Sequence, residues 1–196
     1  MSANRSTRLS IIGDELVRLR PLDLVDVDEW MAGEDDEQIR WFEFPGSATR
    51  QNVIDAIQKW MYSWRTSGPV RHWAVREPTT DRILGGVEVR DLGGGEVNLS
   101  YVVFPWARRR GIATRAAELA LAYAVKEMGA RTAIIKVLQG NEASLGVAFR
   151  LGAVESGTEP SGGGGVFIVL RRDLVAGAPG AEGDTRGSTQ REPPRT

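Results

Sequence analysis

Three consecutive arginines, Arg108, Arg109 and Arg110, run directly into Gly111, Ile112, Ala113 and Thr114, and from Ala113 onward small apolar residues recur at helical spacing. That juxtaposition is suited to binding an anion. The first turn of a helix leaves backbone N–H groups unpaired and carries the positive end of the helix dipole. Gly111 and Ala113 let a bulky group such as a pyrophosphate approach the backbone, and guanidinium groups add charge and paired donors. The arginines alone could equally be a solvated basic cluster; their place between the strand-like run ending at Phe104-Pro105-Trp106 and a long helix favours the anion site. The spacing is neither that of a G-x-x-x-x-G-K-[ST] loop nor that of G-x-G-x-x-G.

Other chemistries are closed by composition. The 196 residues contain no cysteine, which removes disulfides, thiolate metal sites and a cysteine nucleophile. His72 is the single histidine, so no multi-histidine metal centre is expected and no metal is assigned. Its place inside the strand-like run RHWAVRE points to a structural or surface role. A formal net charge of -1 and a pI near 6.0 provide no overall field for nucleic acid or an anionic membrane. No apolar run approaches the ~20 residues of a spanning helix, and MSANRSTRLS lacks the apolar core of a secretory signal, so the expectation is a cytoplasmic protein.

Elements able to position the arginine loop follow from periodicity. Glu15 to Arg20 alternates apolar and charged residues, as a half-buried strand does, and ends at Pro21. Leu24, Val27, Trp30 and Met31 predict a helix closed by Gly33 as a C-terminal cap, and the acidic Glu34 to Glu37 reads as loop or helix surface. Val53, Ile57, Trp60, Met61 and Trp64 predict a second helix. Strands are expected over 72–76, 83–89 and 96–104, as an antiparallel meander broken at Gly93-Gly94-Gly95. The strongest helix runs from Ala113 to Met128 and stops at Gly129; a buried strand over 133–137, a short helix over 143–151 and a last strand over 166–170 complete the series. Strand, crossover helix and strand imply one parallel pair in a mostly antiparallel sheet. Residues 1–13 are expected to be a flexible N-terminus, 14–173 one domain and 174–196, poor in large apolar residues, a disordered tail.

RRRGIA matches the [RQ]-x-x-G-x-[GA] pyrophosphate loop of the GNAT superfamily of N-acetyltransferases, and Asn141 to Gly152 resembles the N-x-x-S…LG segment of its RimJ/RimL-type branch. The resemblance spans about Glu15 to Asp173 and implies an α/β fold, with a splayed, mostly antiparallel mixed sheet of about seven strands and about four helices. It implies acetyl-CoA as co-substrate, its pantetheine arm lying between strands 97–104 and 132–138. Backbone groups of Tyr101, Val102 and Val103 would pair with that arm, and the loop Arg108 to Thr114 would hold the pyrophosphate. Asn141 would contact the pantetheine side, although it could simply cap the next helix.

Acetyl transfer without a cysteine implies direct attack of a primary amine on the thioester in a ternary complex. The N–H of Val102 or Val103 could polarise the carbonyl. Many relatives place a tyrosine proton donor seven residues after the asparagine, where this chain has Ala148. Ser144, expected near the sulfur, is the substitute, although it could only orient the thiolate. The glutamate of the branch's A-E-[IL]-G-Y strand is replaced by Asn98, a neutral amide. Glu88 on the neighbouring strand is the candidate base, directly or through water, and could equally be an ordinary solvent-facing carboxylate. Arg40, Trp41, Phe42 and Asn98 are expected to shape the acceptor site, with Phe44 extending the aromatic wall and Glu34 to Glu37 attracting a cationic amine. A peptide N-terminus and a small cationic amine both fit; so, from another class, does an acyl-CoA-binding sensor that has lost the chemistry. A monomer or a homodimer is expected.

Overall fold

A computed structural model describes residues 11–175. One eight-stranded sheet forms the centre: β1 (Ile12–Gly13), β2 (Arg18–Arg20), β3 (Val70–Arg76), β4 (Ile83–Gly93), β5 (Glu96–Val103), β6 (Thr132–Leu138), β7 (Val154–Pro160) and β8 (Val166–Asp173), in the order β1-β2-β3-β4-β5-β6-β8-β7. Every neighbouring pair is antiparallel except β5–β6. The helices are α1 (Val27–Met31), α2 (Asp36–Trp41), α3 (Arg50–Arg65), α4 (Ile112–Met128) and α5 (Glu142–Arg150).

Alternation along the strands sends side chains to two cores. On one face Trp73, Val87, Leu99 and Ile135 pack against Ala116, Ala117 and Ala120, whose small side chains bring α4 close to the sheet. On the other, Ala74 and Ile83 pack with Ile57 of α3, Val27 of α1 and Phe104. Covered on both faces, β3 is buried along its whole length.

The feature that makes a site is a failure of pairing. β4 follows β5 as far as Val103, and β8 follows β6 to Leu138, yet the parallel β5–β6 ladder stops at Asn98 opposite Ile134. Beyond that pair the two central strands diverge into a fork, with α4 as the crossover between them.

Several expectations need correction. The expected strand from Glu15 is strand only over Arg18–Arg20, because the Asp14 carboxylate accepts hydrogen bonds from the N–H of Leu16 and Val17 and turns the chain there. Gly33 is not a left-handed cap: a Cβ there would lie 2.2 Å from the Phe104 ring, so glycine is required by close packing. The acidic stretch, expected as loop or helix surface, divides between the two, with Asp35 capping α2 by accepting from the N–H of Gln38. β1 and β7 were not expected. β7 carries mostly exposed, polar side chains and has no apolar alternation to betray it. Expectations for residues 1–10 and 176–196 lie outside the described residues.

Candidate functional site

The fork opens into a cleft of about 750 Å³, within the range of roughly 300–1,000 Å³ typical of small-molecule sites. Its floor is the diverging 99–103 and 135–138 segments, one end is the 108–114 loop with the start of α5, and α2 forms a side wall.

The anion end is built by backbone conformation. Gly111, at φ +76°, caps α4 in the left-handed region and lines the cleft, and a Cβ there would meet nothing within 4 Å. Arg109 is also left-handed, at φ +63°, a conformation costing a non-glycine residue about 1–2 kcal/mol. Such strain beside a ligand-sized cleft is characteristic of a binding loop.

The three arginines part company. Arg109 lines the cleft with no charged partner among the described residues. Arg110 lies outside the lining and donates to Glu77 at 3.2 Å. Arg108 lines the cleft, but its donors are committed: Nη atoms lie 2.7–2.8 Å from both Asp35 carboxylate oxygens and 2.7 Å from Glu37, and Nε donates to the Val103 carbonyl at 3.1 Å. The Arg108 hydrogen bond holds the Asp35 carboxyl below the usual aspartate value, and Asp35 raises Arg108 in turn. Arg108 is therefore a clamp between α2 and the end of β5, a role added to the phosphate contact expected of it. A cation missed from the sequence stands at the same end: Arg150, in the last turn of α5, lines the cleft and donates to Thr114 Oγ1 at 3.3 Å. Nothing in the spacing of a C-terminal helix arginine marks that reach.

Along the floor, direction separates Val102 from its neighbours. The Phe104 N–H donates to the Leu84 carbonyl, so the alternation of an antiparallel pair turns the even-numbered backbone groups toward β4. A Cβ on Gly85 would lie 2.1 Å from the Val102 carbonyl oxygen, in accord with that direction. Val102 thus spends its backbone in the ladder, a correction, whereas Tyr101 and Val103 face the fork.

The Tyr101 side chain was not singled out in the sequence. Its hydroxyl donates to the Ser144 carbonyl at 3.0 Å and lies 3.1 Å from Ser144 Oγ, joining β5 to α5 across the cleft, and burial pushes the phenol above its ordinary pKa. Asn141 caps α5, its side-chain oxygen accepting from the Ser144 N–H at 3.0 Å. The capping bond leaves the amide NH₂ available at the cleft, so the two expected roles are compatible.

Glu88, Asn98 and Arg40 do not line the cleft. Asn98 sits at the last paired position of the fork, and Arg40 turns back over the Trp41 ring at 4.5 Å. Glu88 is largely buried beside Arg90 at 2.9 Å and His72 Nδ1 at 3.4 Å. Burial works to raise its carboxyl, but the hydrogen bonds and charges of those neighbours outweigh it and set Glu88 below the ordinary glutamate value. His72, stacked on Trp60 at 3.7 Å, is held below the usual histidine value by burial. Trp41 and Phe42 do line the cleft.

A strained anion loop beside a forked parallel strand pair, with the crossover helix starting at the loop, is a family architecture. Residues 17–154 match the acetyltransferase (GNAT) domain, and the chain belongs to that family of acyltransferases. No curated protein sequence matches it. Among solved structures it is similar to RimL, the ribosomal L7/L12 alpha-N-protein acetyltransferase, in complex with coenzyme A (TM-score 0.73, 14% identity, covering 83% of this chain and 97% of that one). The ribosomal-protein-S5-alanine acetyltransferase from Vibrio fischeri is comparable (0.71, 15%, 83% and 96%). So is the microcin C7 self-immunity acetyltransferase MccE, in complex with acetyl-CoA and AMP (0.72, 16%, 82% and 94%). At these identities the likeness is one of fold. No helix among the described residues is long and apolar enough to cross a membrane.

Proposed function

We propose that the protein is an acetyl-CoA-dependent N-acetyltransferase that moves an acetyl group directly to a primary amine in a ternary complex. The observation that carries this reading is the fork, which joins an anion loop on the α4 and α5 side of the sheet to an aromatic wall on the α2 side. The residues suit acetyl-CoA: open space at Gly111, Arg109 with no charged partner among the described residues, and the Asn141 amide can receive a pyrophosphate and an amide-bearing arm. Bound acetyl-CoA supplies an activated thioester.

The chain's own groups do the rest. The Val103 N–H, directed into the fork, polarises the thioester carbonyl as the amine adds and the C–N bond forms. When the C–S bond breaks, the Ser144 hydroxyl donates a hydrogen bond to the departing thiolate, and the Tyr101 hydroxyl, bound to the Ser144 carbonyl, holds that turn of α5 in place. The amine's surplus proton passes through water to Glu88, whose strand position pairs with the cleft-lining Ser100. Glu88 is ionised at neutral pH and so can accept it. Thiol release from acetyl-CoA in the presence of amines tests the proposal; binding without release on any amine would identify a sensor instead.

A further inference from the structure

Sheet register lines up a row of polar side chains across three strands. His72 on β3 stands opposite Glu88 on β4, and Glu88 stands opposite Ser100 on β5. Side chains paired in this way share a face of the sheet, with Cβ atoms about 4.5–5.5 Å apart. The face is the one that α1 and α3 cover. Trp60 of α3 stacks on His72 at 3.7 Å, and Ala74 and Val102, each two residues further along the strand from a member of the row, pack with the α1 and α3 core. Tyr101 and Val103 pack with the α4 core instead, so the row reaches the fork from the side away from α4.

The two ends of the row differ. Ser100 is half-buried and lines the cleft, and its hydroxyl oxygen is accessible and makes no hydrogen bond among the described residues. At the other end, His72 Nε2 is buried without a partner and the row stops. Between them the Glu88 carboxylate is fixed: Oε1 accepts from Arg90 at 2.9 Å, and Oε2 lies 3.4 Å from His72 Nδ1. Each oxygen keeps a further lone pair. The groups facing this carboxylate are thus His72 from β3, Arg90 from its own strand and Ser100 from β5. Glu88 lies outside the cleft lining, and a base must come within hydrogen-bond reach of the proton it takes, directly or through one water. An amine in the fork therefore needs an intermediary, and Ser100 occupies that place.

Resting on the acetyl-transfer reading above, we propose that Ser100 is a catalytic residue whose hydroxyl receives the acceptor amine and relays its surplus proton to Glu88. As the C–N bond forms, the nitrogen holds one proton too many. Ser100 Oγ accepts that proton while its own leaves across one water to Glu88, so the serine ends as a hydroxyl and the carboxylate as a carboxylic acid. Glu88, whose side chain is 13% exposed, then returns the proton to solvent. His72 and Arg90 act through Glu88, as positioning residues. The arrangement gives the amine its own side of the sheet and leaves the α4 side to the cofactor.

The test is thiol release from saturating acetyl-CoA with tyramine, an alanyl peptide and spermidine, for the wild type, Ser100→Ala, Ser100→Thr, Glu88→Gln and the Ser100→Ala, Glu88→Gln double variant. On the amine that the wild type turns over fastest, Ser100→Ala is expected to lower kcat about ten- to a hundredfold, because water alone still reaches Glu88 less directly. The acetyl-CoA Kd and the melting temperature are expected to hold. Ser100→Thr, which keeps the hydroxyl, should recover most of the rate. The double variant should be no slower than the slower single variant, since both changes cut one proton path. An unchanged kcat in Ser100→Ala, or losses that multiply in the double variant, would overturn the inference and leave the transfer reading standing. Acetyl-CoA binding with no thiol release from the wild type on any of the three amines would overturn the transfer reading and this one with it.

Discussion

Replacing Arg108 by Met separates a clamp from a phosphate ligand. The substitution removes one hydrogen bond and a second ion-pair contact to Asp35, one hydrogen bond to Glu37 and one to the Val103 carbonyl. Hydrogen bonds to charged groups contribute about 1.5–3 kcal/mol net in protected sites. Arg108 and Asp35 are 28% and 26% exposed, so screening reduces the figure, and about 2 kcal/mol is expected for the whole clamp. For a domain of this size that corresponds to a fall of about 4–8 °C in Tm. Because the clamp fixes α2 against β5, the acceptor wall loosens, and kcat/KM for the acceptor should fall roughly ten- to a hundredfold while acetyl-CoA affinity holds. Thermal denaturation, calorimetric titration with acetyl-CoA and acceptor kinetics read the three quantities, and a double-mutant cycle with Asp35→Asn, which keeps the helix cap, isolates the pair. The reasoning is refuted if Arg108→Met weakens acetyl-CoA tenfold or more with Tm unchanged, as loss of a phosphate ligand would.

Gly111→Val places a branched side chain at φ +76° in the cleft-lining loop and forces that backbone to change, so acetyl-CoA Kd should rise at least tenfold with about 1–2 kcal/mol lost in denaturant melts. His72 is the one histidine, and burial holds its folded pKa below the unfolded value of about 6.5. The unfolded chain thus binds a proton first: stability is full above about pH 6.5 and falls as pH drops toward the lower folded pKa. His72→Phe should flatten that slope in urea titrations between about pH 5 and 7; an unchanged slope would assign it elsewhere. Glu88→Gln should lower kcat and remove the acidic limb of its pH profile, and an unaltered profile would take Glu88 out of the reaction.

Periodicity exposed the elements that bury an apolar stripe. The α4 helix was expected over 113–128 and spans 112–128, because its alanine face and its stop at Gly129 are local signals. β1 and β7 escaped because short or exposed strands need no alternation, and the turn before β2 depends on the Asp14 side chain more than on pattern. At the site, the anion loop was legible because its chemistry lies in consecutive residues. The fates of its arginines were not: Arg108 meets Asp35 and Arg110 meets Glu77, partners far away in the chain whose identity only the fold decides. For the same reason the surroundings of Glu88 and Asn98 were not legible: sheet register sets Glu88 beside His72 and opposite the cleft-lining Ser100, and puts Asn98 at the closed end of the fork.

The most direct measurement is calorimetric titration with acetyl-CoA followed by thiol release on an amine panel. Saturable binding, lost in Gly111→Val, with release on at least one primary amine is the expected result. Absence of binding would contradict the account at its root, because the strained Arg109 to Gly111 loop and the forked strands would then have no ligand to explain them.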